Sequence, residues 1–100
     1  MVKLIAYYKE PQDKDSFDKK YFEEHMPLAK KMPGLVKIEV SRLKGLGKMQ
    51  PDFYMQADMY FNNEDELNAA MISEEGRASA KNLMSFAKEV TSMSVAEVIE

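Results

Sequence analysis

From Val2 to Tyr8 nearly every position is apolar, and the run stops at the polar, proline-containing stretch Glu10 to Lys14. Such a run reads as a strand buried on both faces and closed by a turn. Asp15 is placed to cap a helix, and Asp18 adds negative charge where the helix dipole favours it. Phe17, Tyr21, His25 and Leu28 recur at helical spacing and share one face, with Phe22 at its flank. Pro27 has no N–H to give, so the regular helix is expected to end or bend just before it, with His25 in the last turn. Pro33-Gly34 then closes the connection. Val36, Ile38 and Val40 alternate with polar residues within Leu35 to Lys44, the mark of a second strand.

Gly45, Gly47 and Pro51 mark a loop, and alternation resumes from Phe53 to Phe61. One face there carries Phe53, Met55, Ala57, Met59 and Phe61; the other carries Tyr54, Gln56, Asp58 and Tyr60. Asn63 with Glu66 has capping-box spacing ahead of a short stripe of Leu67, Ala70 and Met71. Ser73 can cap a longer helix with Ala80, Leu83, Met84, Ala87 and Val90 facing inward. Thr91 to Ile99 completes the chain as a strand with Met93, Val95 and Ile99 on one face. The order is that of an α+β, ferredoxin-like β-α-β-β-α-β domain with a four-stranded antiparallel sheet, a single domain over residues 1–100. One helical layer covers only one sheet face. The other is expected to be rich in exposed Tyr and Met, and a second copy packed sheet to sheet would cover it, so a homodimer is expected.

Composition narrows the partners. Fourteen Lys and Arg against seventeen Asp and Glu give a net charge of -3, with no basic run to neutralise a phosphate backbone, so no nucleic-acid partner is expected. The chain has no cysteine, which excludes disulfides, thiolate metal sites and cysteine nucleophiles. Val2–Tyr8 is too short for a signal sequence or a membrane span, so the expectation is a cytoplasmic protein without a membrane partner. The clusters Lys19-Lys20, Glu23-Glu24 and Lys30-Lys31 read as a solvated face. No phosphate-binding loop, dinucleotide fingerprint, nucleophile elbow or metal-ligand spacing occurs, and no metal is expected.

The candidate chemistry centres on His25, the one histidine, which is the natural general acid or base near neutral pH. The plain structural reading of such a residue is a histidine satisfied by the last-turn carbonyls. Its apolar neighbours favour a place on a buried wall, where it needs a partner. Tyr7 or Tyr8, Tyr54, Gln56, Asp58 and Tyr60 all lie on strands and can supply one; a carboxylate would fix the imidazole tautomer and raise its pKa. The expected catalytic set is His25, Tyr8 and Asp58, with Tyr21, Tyr54, Gln56 and Tyr60 as ligand-binding residues. Five Phe, five Tyr and nine Met pack a core in the plain reading; in the sharper one they line a pocket between sheet and helices for a small hydrophobic or aromatic molecule.

Tyr7-Tyr8-Lys9, Phe17, Tyr21-Phe22, His25-Met26-Pro27-Leu28 and Pro33-Gly34-Leu35 resemble the EthD family, named for ethyl tert-butyl ether degradation. The similarity continues through Asp58-Met59-Tyr60-Phe61 and from Ser73-Glu74-Glu75-Gly76 to Phe86. It implies a dimeric α+β barrel of ferredoxin-like protomers. It also implies cofactor-free acid–base or oxidative chemistry in the degradation or tailoring of organic compounds, with His25 as the position carried over. Two other readings accompany it: a haem-binding protein of the same barrel superfamily with His25 as axial ligand, and a non-catalytic accessory protein.

Overall fold

The computed structural model describes all residues, 1–100. Strand β1 (Val2–Tyr8) is followed by α1 (Lys14–Lys20), a π-helical turn (Tyr21–His25) and α2 (Met26–Ala29); then come β2 (Leu35–Arg42), β3 (Met55–Phe61), α3 (Glu64–Ile72), α4 (Glu74–Ala87) and β4 (Thr91–Glu97). The strands form one antiparallel sheet in the order β2-β3-β1-β4. No helix is long and apolar enough to cross a membrane.

Alternation decides which face meets the helices. Leu4, Ala6 and Tyr8 of β1 and Met55, Ala57, Met59 and Phe61 of β3 join Phe17, Tyr21, Leu67 and Leu83 in one core. The uncovered face carries the intervening residues: Lys3, Ile5 and Tyr7 opposite Tyr60, Asp58 and Gln56, with Lys37, Glu39 and Ser41 beyond them on β2. The expected exposed face keeps its tyrosines, Tyr7 and Tyr60, but not its methionines: those of β3 turn inward, and Lys3, Asp58, Lys37 and Glu39 stand on the uncovered side. The alternation also breaks before β3. The Phe53 ring packs at a tilt against Tyr7 of the uncovered face, while Tyr54 packs edge-on against Phe17 in α1, so the two are exchanged relative to the expected pattern.

The first helical segment departs from the expected outline at both ends. Asp13, not Asp15, is its cap: the Asp13 carboxylate accepts from the Ser16 N–H at 3.0 Å. Pro27 does not end the helical path either. A π-turn precedes it, closed by the Met26 N–H donating to the Tyr21 carbonyl, and α2 continues through Pro27. A proline in an α-helix collides with the carbonyl four residues back and leaves it unpaired; one inserted residue relieves this by widening the turn. The insertion also shifts the inward stripe. Phe17, Tyr21 and His25 are buried as expected, but Met26 and Ala29 follow them, and Leu28 is only half-buried.

Helices α3 and α4 meet at Ser73. Its hydroxyl donates to the Ala70 carbonyl at 2.6 Å and accepts from the Gly76 N–H at 3.0 Å, ending one helix and capping the next. The inward stripe of α4 is Gly76, Ser79, Leu83 and Ala87, flanked by half-buried Asn82 and Phe86; Val90, expected in this stripe, lies half-buried in the turn after the helix ends. Ala80 and Met84, assigned inward from the sequence, are exposed. Beyond β4, Val98 and Ile99 leave the strand, and Ile99 is exposed.

Candidate functional site

Beneath the sheet, where β1, the π-turn and α4 converge, three polar side chains are buried among aromatic and aliphatic ones. Tyr8 closes β1 and points into the core because of its place in the alternation. Its hydroxyl donates to that of Tyr21 at 3.3 Å, and both rings are about 1% exposed. Phe17 stacks on Tyr21, and the His25 ring lies 5.2 Å from the Tyr21 ring. His25 is 5% exposed. Its position follows from the π-turn, which sets two consecutive residues, His25 and Met26, on the inward side.

Burial governs the protonation of this set. It raises the Tyr8 phenol well above its ordinary range, and the neighbouring Tyr21 adds to the effect. Burial pushes Tyr21 up to about 12, against a smaller opposing effect of the hydrogen bond from Tyr8. Both phenols stay protonated at neutral pH and act as hydrogen-bonding groups, not as bases. His25 moves the other way: burial lowers its pKa, outweighing the Asn82 side chain and the Ser79 backbone carbonyl, which favour the imidazolium. The ring is therefore neutral at pH 7, an acceptor of protons before it is a donor.

A cavity of about 30 Å³ adjoins this set, with Tyr8, His25 and Gly76 in its wall and four methionines, Met32, Met59, Met71 and Met93, around them. That volume holds about one water molecule. Met93 lies at its outer end on edge strand β4 and is 42% exposed. Methionine side chains have three rotatable bonds and repack at little cost.

The other expected site residues lie elsewhere. The sheet separates Asp58, Gln56 and Tyr60 from His25. On the uncovered face Asp58 is buried, 3.5 Å from Lys3 Nζ, and accepts from the Gln56 amide at 3.2 Å. Tyr60 lies between Lys3 and Lys37 and donates to Glu39 at 2.9 Å. Tyr54 belongs to a clasp between α1 and the sheet: it donates to Asp18 at 3.0 Å and accepts from Arg42, which also pairs with Asp18. Of the seven residues expected from the sequence, the structure gathers His25, Tyr8 and Tyr21. A methionine-lined pocket was expected from the composition, but not which methionines form it, and neither Ser79 nor Asn82 was singled out as a partner of His25; Ser79 lies four residues before the inward Leu83, and Asn82 immediately precedes it. No group of three His, Asp or Glu side chains converges to hold a metal ion.

A sequence profile of the EthD domain matches residues 9–88. The chain is similar to an ethyl tert-butyl ether D (EthD) family protein from Bacillus halodurans C-125 at 40% identity over 99% of both chains, with a TM-score of 0.94. A dimeric protein of unknown function and ferredoxin-like fold from Bacteroides fragilis is 22% identical over 97% of this chain and 95% of that one, with a TM-score of 0.66. The cofactor-independent oxygenase SnoaB from Streptomyces nogalater shares the fold at 12% identity, over 99% and 93% of the two chains, with a TM-score of 0.71. No curated protein sequence matches the chain.

Proposed function

The chain belongs to the EthD family, and from that premise we propose that it binds a small hydrophobic or aromatic organic molecule between sheet and helices, working as a homodimer. His25 accepts a proton from the bound molecule and Tyr8 holds one of its oxygens. The observation that carries this reading is the buried, neutral His25 beside the Tyr8–Tyr21 pair on a methionine-lined cavity. An aromatic ring of benzene size needs a cavity of about 150 Å³, so entry displaces methionine side chains. A ligand that loses a proton to His25 creates an imidazolium in a dry site, where the Tyr8 hydroxyl turns its hydrogen from Tyr21 to the developing oxyanion and accepts from Tyr21 in exchange. Cofactor-independent acid–base turnover, or oxidation of the deprotonated molecule with dioxygen as the external oxidant, fits that arrangement.

A haem axially held by His25 fits less well. Its rigid macrocycle needs a cleft of several hundred Å³, which moving methionines alone does not open beside a cavity of about 30 Å³.

Native mass spectrometry of protein purified from its own host, then incubated with a panel of small phenols, tests the proposal. The expected result is a dimer that retains or takes up an organic molecule, with its affinity reduced about tenfold in His25→Ala, the loss of one buried polar partner. Undiminished affinity in His25→Ala, or no uptake from host or panel, overturns it.

A further inference from the structure

This inference rests on the reading of His25 as the proton-carrying group of the site. Two buried side-chain polar atoms lack a hydrogen-bond partner, His25 Nδ1 and Asn82 Oδ1. They belong to residues close enough for the Asn82 side chain to bear on the titration of the imidazole. Buried polar atoms are ordinarily paired, and an orphan costs about 1–3 kcal/mol, so two orphans on neighbouring side chains are each other's natural complement.

The orientation of the Asn82 amide is set from outside. Its Nδ2 lies 3.5 Å from Glu24 Oε1, on the solvated face of the π-turn. A carboxylate only accepts, so the NH₂ end of the amide belongs on the Glu24 side and the carbonyl on the inner side. An amide oxygen also only accepts. The imidazole nitrogen that meets it gains a hydrogen bond only when that nitrogen carries the proton. The geometry points to Asn82 as a positioning residue, held by Glu24, that fixes neutral His25 in its Nδ1–H tautomer and leaves Nε2 unprotonated on a residue lining the cavity. Nε2 is then the atom that receives a proton from a bound molecule, without prior rearrangement of the ring. The Ser79 carbonyl beside the ring is the competing acceptor, and it would favour whichever nitrogen donates to it.

The single histidine makes the test direct. In ligand-free protein labelled with ¹⁵N-histidine, at mildly alkaline pH, the imidazole spectrum should show the Nδ1–H tautomer in about tenfold excess, the equivalent of one net hydrogen bond. Asn82→Ala should abolish that preference while circular dichroism shows the domain folded. Asn82→Asp should keep the preference and raise the midpoint of the imidazole titration, since a carboxylate favours the imidazolium more than an amide does. A native chain in the Nε2–H tautomer overturns the inference, as does an unchanged tautomer ratio in Asn82→Ala. If Asn82→Ala does not fold, an unshifted midpoint in Asn82→Asp overturns it instead. No ligand is present in these samples, so failure of ligand uptake would remove the proposed function and leave the tautomer assignment standing.

Discussion

His25 combines burial with a polar neighbourhood that does not fully satisfy it, and that imbalance has a consequence for stability. Its folded pKa lies below the ordinary 6.5 because burial disfavours the imidazolium. Above 6.5 the ring is neutral whether the chain is folded or not, and histidine contributes no pH dependence. As pH falls below 6.5 the unfolded chain takes up a proton that the folded chain refuses, so stability declines until the lower folded pKa is passed. One proton sets the limit at about 1.4 kcal/mol per pH unit. Thermal unfolding of the native chain and of His25→Gln, followed from neutral pH down to mildly acidic pH, should show the extra decline only in the native chain. Equal slopes would mean that the folded ring protonates as readily as a free one. The residue was legible in the sequence as the one neutral-pH base on an apolar helical face. Its partners were not, because a carboxylate on a strand looks the same from the sequence on either face, and Asp58 falls on the far side of the sheet from His25.

At the scale of elements, order and type follow from local patterns: the apolar run of β1, the alternations of β2 and β3, and the caps at Asn63 and Ser73. What local patterns hide is register. Pro27 announces a disturbance, but whether the chain stops, bends or inserts a residue depends on what the helix packs against; here burial of both His25 and Met26 favours the insertion. The α3–α4 junction is another case. A Cβ at Gly76 would lie 2.0 Å from the Ala70 carbonyl oxygen, a backbone atom fixed by the Ser73 cap. Gly76→Ala therefore has to push the two helices apart despite the better helix propensity of alanine. The expected loss is about 2 kcal/mol, seen as a fall in Tm of about 10 °C for a domain of this size. An unchanged Tm in a calorimetric scan would show that the junction yields freely.

The whole molecule is a slab 39 × 33 × 18 Å, one sheet and one layer of helices. Its two faces differ in kind: helices and the His25 cavity lie on one, and on the other Lys3, Asp58, Glu39 and Tyr60 are tied together around Ile5 and Tyr7. The proposed homodimer would use the second face, a mixed polar and aromatic surface that suits a specific interface more than bulk hydrophobic association. Ser94 tests this cleanly, because it is exposed on β4, opposite the buried Ile5 of the same face. Ser94→Arg leaves the core untouched and sets a bulky charge on the β4 side of the proposed contact, beside Ile5. In sedimentation equilibrium the native chain should weigh twice its 11.5 kDa, and the variant should dissociate at concentrations at least about tenfold higher, the cost of one buried unpaired charge. Because the sheet stands between that face and the cavity, the monomeric variant should still take up whatever ligand the native chain binds. A variant that loses ligand together with its partner would show that the second copy completes the site; one that remains a dimer of native affinity would place the interface elsewhere.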